Sequence, residues 1–406
     1  MRRHWIPPLG LVFGQLCHGG SWLLALWIAL RGDVASSPLR EIAWVHLVAL
    51  GWLTTTALSI LLHAIPAFTG VRWRHEGTAR TALFFFGAAV VAFVVAFLAA
   101  PQSLLAIGVA LGAALTIYLA TAWMTLAVAM RSPDRIDRAV ARAFAATLLL
   151  LFITLLLGVG SASLLRGIAA PEWIAQLPSA HASIALFGWL TLLIYGVSAR
   201  TLRPITGNRS QRPILHVITG SSTLTGALLL AAGNGAMTQW LSWLGGGLIA
   251  LGAAAYIVDV AAILTGSSVT YRPPQFFIAA GLTWLLVALF LGTGVLAGAP
   301  WQSAFVFVML AGWAGQMVNG HILHIGVRLI ATIYRGEDDE TEPRALLDPL
   351  RPWFAFFAMQ LAVACVAVGL LAENANITAI GAAIGLMGWL ALMTALAMAR
   401  RAAANA

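Results

Sequence analysis

Five histidines and one arginine stand in oily surroundings, where an ionisable side chain is expensive. His46 and His63 belong to "WVHLVALGWLTTTALSILLHAIPAFTG", residues 44–70. His181 and Arg200 belong to "HASIALFGWLTLLIYGVSAR", and His321 and His324 to "GQMVNGHILHIG". Buried polar groups need partners. Ionisable groups inside a membrane usually face a bundle interior, where they serve substrates, protons or cofactors. Imidazole is the commonest metal ligand and a standard axial ligand of haem iron. The candidate cofactor-binding residues are therefore His46, His181, His63, His321, His324 and Arg200. Of these, His46, His181, His321 and His324 are the candidate metal ligands.

Spacing limits what they can do together. His46 and His63 are 17 residues apart, about 25 Å along a helix, so one cofactor cannot take both. His321 and His324 share one helical face and cannot grip a haem from its two sides. They would serve two centres or hold one metal between them. Each of these histidines has a competing reading as a hydrogen-bonded packing residue, and the concentration of five on three helices favours a cofactor. His18, in "QLCHGGSW", is open between packing and function. His4, His75 and His216 read as interfacial or solvated. Asp259, a lone acid in an apolar run, reads as the partner of an arginine such as Arg200 or Arg328, or as a proton relay. No nucleophile elbow, phosphate loop, zinc-protease or dinucleotide pattern stands in a credible context. No catalytic residue is assigned, and enzymatic activity, of an oxidoreductase kind, stays open.

The elements that must position these side chains are membrane helices. The chain has 406 residues, 61% hydrophobic and 9% charged, against about 25% charged in a soluble domain. Its mean hydropathy is +0.90, so the lipid bilayer is its expected solvent. Apolar runs of spanning length fall at 6–30, 41–66, 80–100, 103–130, 140–166, 178–200, 213–232, 238–265, 273–297, 303–333, 351–372 and 377–399. That predicts twelve transmembrane helices in a single membrane domain over 1–406. The net charge is +9, carried entirely by arginine. The arginines sit in short alternating loops such as "RWRHEGTAR" and "RSPDRIDRAVAR", which is a topology signal and no nucleic-acid footprint. It predicts a bacterial-type inner membrane protein with both termini cytoplasmic. Arg31, Arg40 and Arg166 are the exceptions, on outward loops. The acidic cluster Glu337 to Glu342 reads as a solvated linker. Cys17 and Cys365 lie in apolar runs and suggest packing, not a disulfide. The N-terminal apolar run shows no convincing cleavage site and reads as a retained first helix.

The second, sixth and tenth runs each carry Gly-Trp: Gly51-Trp52, Gly188-Trp189 and Gly312-Trp313. The second and sixth also close on Thr-Gly, 18 residues after the Trp. One such helix in every four predicts three four-helix arcs. Repeat logic also sets His63, Arg200 and His324 at one depth, each 11 residues beyond its Trp.

"HLVALGWLTTTALSILLHAIPAFTG" resembles the second helix of NnrS-type membrane proteins, with His46, Gly51-Trp52 and the ending Pro66 to Gly70. "HASIALFGWLTLLIYGVSARTLRPITGNR" resembles that family's later His-Ala helix, with His181-Ala182, Arg200 and Thr206-Gly207, and Asn208 inserted before Arg209. The group is in turn similar to subunit I of haem-copper oxidases. The resemblance implies an oxidase-like fold of three arcs, b-type haem, room for copper, a diatomic ligand such as nitric oxide, and an electron-donor or partner subunit. The departures matter. The seventh run has only His216 where an oxidase carries a His-His pair for copper. "HILH" is displaced inward, and no Tyr follows His181 before Tyr195. The full copper-haem centre is therefore not encoded, and haem ligation at His46 survives these departures best. Two rivals remain from the residues alone: a proton-coupled or small-solute transporter using the same histidines, and a cofactor-free oxidase-like scaffold or assembly subunit.

Overall fold

A computed structural model of the chain describes residues 6–32, 38–164, 175–208, 210, 212–336 and 342–405. His4, Arg166, Arg209 and residues 337–341 of the acidic cluster lie outside them. Among the described residues, twelve helices are long and apolar enough to cross a membrane. They are α1 (Leu9–Leu30), α2 (Pro38–Thr69), α3 (Glu76–Ala99), α4 (Pro101–Ala129), α5 (Asp137–Leu164) and α6 (Leu177–Thr206). The second half comprises α7 (Pro213–Gly235), α8 (Gln239–Thr265), α9 (Pro273–Leu296), α10 (Gln302–Arg335), α11 (Arg351–Leu371) and α12 (Ala375–Ala404). The architecture is all-helical, and it suits a multi-pass membrane protein. Large side chains such as Phe84, Phe290 and Ile214 stay exposed on the outside, which suits a surface solvated by lipid.

Local sequence explains the helix ends. Proline opens α7, α9 and α11 in the first turn, where its missing N–H costs nothing. Asn374 caps α12 by accepting the Ile377 N–H at 3.1 Å. The helices α2 and α6 run three and six residues past the ends at 66 and 200 expected from hydropathy. Pro66 and Pro204 fall in their last turns. There a proline gives up its main-chain bond and its ring crowds the carbonyl four residues earlier, which favours ending the helix soon after. Gly70 and Gly207, at φ +67° and +71°, then stop each helix in the left-handed region that favours glycine.

Three helices form the centre. Of the most apolar stretch of α10, 89% is buried, and of α2 and α6 61%, while the other nine helices reach 28–50%. Around them, α1 packs on α2 and α12, α3 on α2 and α4, and α5 on α4 and α6. Likewise α7 packs on α6 and α8, α9 on α8 and α10, and α11 on α10 and α12. The α7–α8 pair is closest where glycines face each other. A Cβ added at Gly226 would lie 2.7 Å from the Gly245 oxygen, the small-residue contact that lets membrane helices approach.

Candidate functional site

Each central helix widens into a π-helical segment at its Gly-Trp: Leu47–Thr54 in α2, Ile184–Thr191 in α6 and Val308–Ala314 in α10. The Trp is the sixth residue of all three, so the sequence repeat is also a backbone repeat. Such bulges are frequent at functional sites. Trp52, Trp189 and Trp313 are buried together at the core. Trp189 Nε1 donates to Thr54 Oγ1 at 3.0 Å, and Trp313 Nε1 donates to Thr191 Oγ1 at 3.2 Å. Both threonines stand two residues after a repeat Trp. The third bond of this cycle is missing, because Gly315 occupies that place on α10. A Cβ there would come 2.8 Å from Trp52 Cη2. Among the described residues Trp52 Nε1 is left buried without a partner, and its ring stacks on His18 at 3.4 Å.

The ordinary α-helical turns just before two of these segments carry His46 and His181. The rings stand 6.3 Å apart, centre to centre, and within 16° of parallel. His46 Nδ1 lies 2.8 Å from the Ile42 carbonyl oxygen, and His181 Nδ1 lies 2.9 Å from the Thr154 oxygen on α5. A carbonyl only accepts, so each Nδ1 carries the proton and each Nε2 keeps its lone pair. Metal-ligating histidines are commonly held this way, by a carbonyl on the other ring nitrogen. Two imidazoles sharing one metal through Nε2 would show centres roughly 6 Å apart, since each metal–nitrogen bond is about 2 Å.

The surroundings of the pair are apolar. Phe93 meets the His46 ring edge-on at 5.4 Å, and Phe97 stacks on it at 5.3 Å. On the other side Gly158 leaves room for His181: a Cβ there would lie 2.9 Å from His181 Cε1. Both imidazoles stay partly accessible although helices surround them. Two imidazoles, each with Nδ1 turned to a main-chain oxygen, are donors of the kind a metal takes.

The inner candidates are arranged differently. His321 has both nitrogens engaged, Nδ1 with the Met317 oxygen at 2.7 Å and Nε2 with Thr201 Oγ1 at 2.8 Å. His324 is half-buried, within electrostatic reach of His321 and Arg328. Arg200 is half-buried and His63 exposed. Among the described residues, no three of His, Cys, Asp and Glu cluster closely enough to hold a metal ion by themselves.

Two open questions from the sequence resolve. His18 is a packing residue: its Nε2 accepts from Trp22 Nε1 at 3.0 Å, and its Nδ1 faces Gln15 Oε1 at 3.4 Å. Asp259 does pair with an arginine, but with Arg212 at 3.9 Å, beside His216 at 3.8 Å. The tight α7–α8 contact brings the two residues from the start of α7 to the acid.

Sequence reasoning missed the groups that orient the histidine pair. The Thr154 carbonyl and Gly158 carry no side-chain signal. Phe93 and Phe97 belong to no motif that would single them out. Set against known proteins, the chain matches no family model and no curated protein. What defines its class is therefore the twelve-helix membrane fold with a paired-imidazole slot between α2 and α6.

Proposed function

We propose that this chain is a haem-binding integral membrane protein in which His46 and His181 hold one iron from its two sides. The carrying observation is the pair: near-parallel rings 6.3 Å apart, each with Nδ1 tied to a main-chain oxygen. A haem bound there would supply one-electron redox chemistry at a potential set by its ligands and surroundings. The Ile42 and Thr154 oxygens fix the tautomer and orientation of the imidazoles and raise their basicity. Phe93 and Phe97 exclude water and keep the local dielectric low. His46 and His181 would both be used in holding such a group, leaving it no free position. Electron transfer is then the primary work, and a diatomic such as nitric oxide would enter only where one imidazole withdraws.

The order of helix packing supports a wider kinship. Three successive groups, α11-α12-α1-α2, α3-α4-α5-α6 and α7-α8-α9-α10, each end on a central helix with Gly-Trp. This is similar to the three arcs of haem-copper oxidase subunit I and of NnrS-type proteins. The arginine-rich loops support an inner membrane location with both termini cytoplasmic, where an electron donor or partner subunit would dock.

The test is an optical spectrum of detergent-purified protein from haem-replete cells, oxidised and then dithionite-reduced. A Soret band with split visible bands on reduction is expected, altered or lost in both His46→Ala and His181→Ala. A featureless spectrum from folded protein would overturn the haem reading and leave the transporter or the cofactor-free scaffold.

A further inference from the structure

The axis between the three central helices carries a cavity that the histidine pair does not use. Its volume is about 660 Å³ with its mouth included. The wall follows the repeat. Five residues beyond each repeat Trp stand Ala57, Ile194 and Val318, and eight residues beyond stand Ile60, Val197 and His321. Equivalent positions on α2, α6 and α10 thus face one chamber at two successive levels.

The polar groups of this wall are turned elsewhere. His321 spends both nitrogens on the Met317 oxygen and on Thr201, which is not a wall residue. It offers the chamber only ring carbon. The Thr56 hydroxyl sits against Gly14 of α1, where a Cβ would collide with it. The Ser198 hydroxyl lies towards Tyr256 of α8. A chamber that gives water no hydrogen bonds stays dry, and such cavities take up benzene or xenon.

We propose that this axial chamber binds small apolar gas molecules, with diatomic gases as its natural guests. This deepens the proposed function and rests on it for the identity of the gas alone; binding itself needs no haem. The experiment is xenon pressurisation of crystals of the full chain, with and without Val318→Phe and Ala57→Phe. A xenon peak among Ala57, Ile194 and Val318 is expected. Either phenylalanine should abolish it while melting behaviour stays close to that of the parent. Ordered water in the chamber of the parent protein, or no xenon there at pressures that fill other sites in the same crystal, overturns the proposal. Because the parent alone decides the outcome, a variant that fails to fold leaves the test intact. Colourless protein that takes up xenon sinks the haem reading only, and coloured protein that refuses it sinks the chamber only.

Discussion

At the scale of single residues, the histidine pair depends on groups that hold the rings and on one that stays out of their way. Gly158 is of the second kind. Gly158→Leu would thrust a side chain into the His181 ring, so, on the proposed haem reading, the optical and magnetic signature of the bound haem should broaden or split while the helical content is kept. The buried indoles make a second expectation. Thr191→Val deprives Trp313 Nε1 of its acceptor, and hydrogen bonds between membrane helices are worth about 0.6 kcal/mol, at most about 1.7. Unfolding in mixed detergent should register a loss of that size. Trp52→Phe should cost less than Trp189→Phe by a similar amount, because the Trp52 indole N–H is already unpaired. His46 and His181 were legible from residue type and from their place before a repeat Trp. Sequence reasoning also set the two together at one outer site; what it could not show was their tethering, because the atoms that hold the rings belong to the main chain.

At the scale of elements, the helix starts and crossings carry their own expectations. Asp348 precedes α11 and accepts the Arg351 and Leu350 main-chain N–H groups at 2.8 and 2.9 Å. Those bonds, with the Arg351 N–H contribution largest and the Arg351 guanidinium adding to it, hold the carboxyl below its usual range. Its stabilisation of the helix start is thus complete above the ordinary carboxylate value of about 3.9. It fades only as the pH falls through the lowered one. Hydrogen exchange at Leu350 and Arg351 should stay slow to below that ordinary value and then accelerate; Asp348→Ala should remove the protection at every pH. At the α7–α8 crossing, Gly245→Ala would set a Cβ 2.7 Å from the Gly226 oxygen. Overpacking of that kind costs about 1–3 kcal/mol, measurable as a lower melting temperature. The twelve helices were legible because a spanning run of apolar residues is a long, redundant signal. The extra turns after Pro66 and Pro204 were not, since a proline reads as a stop until its position in the last turn is known. The π-helical segments were equally hidden: Gly-Trp marks where they fall but has no periodicity of its own.

At the scale of the whole molecule, the centre is a threefold motif with one link unmade. Two indole–hydroxyl bonds join α2 to α6 and α6 to α10, and none returns from α10 to α2. The repeat was readable in the sequence; the central position of its three helices emerged only from their burial. The open link was not, because it depends on Gly315 lying against Trp52. The widened turns have a further consequence for how this chain tolerates change. Each holds a surplus residue relative to an α-helix, and one residue is worth about 100° of rotation. The outer part of α2, with His46, is therefore out of phase with the inner part that lines the chamber. Removing one residue within 47–54 would take out that surplus and restore a continuous α-helix with His46 still turned to His181. The same deletion a few residues on, in the regular turns from Thr55, would swing His46 away by about 100°, so a deletion scan should find the widened turn the tolerant stretch of this helix.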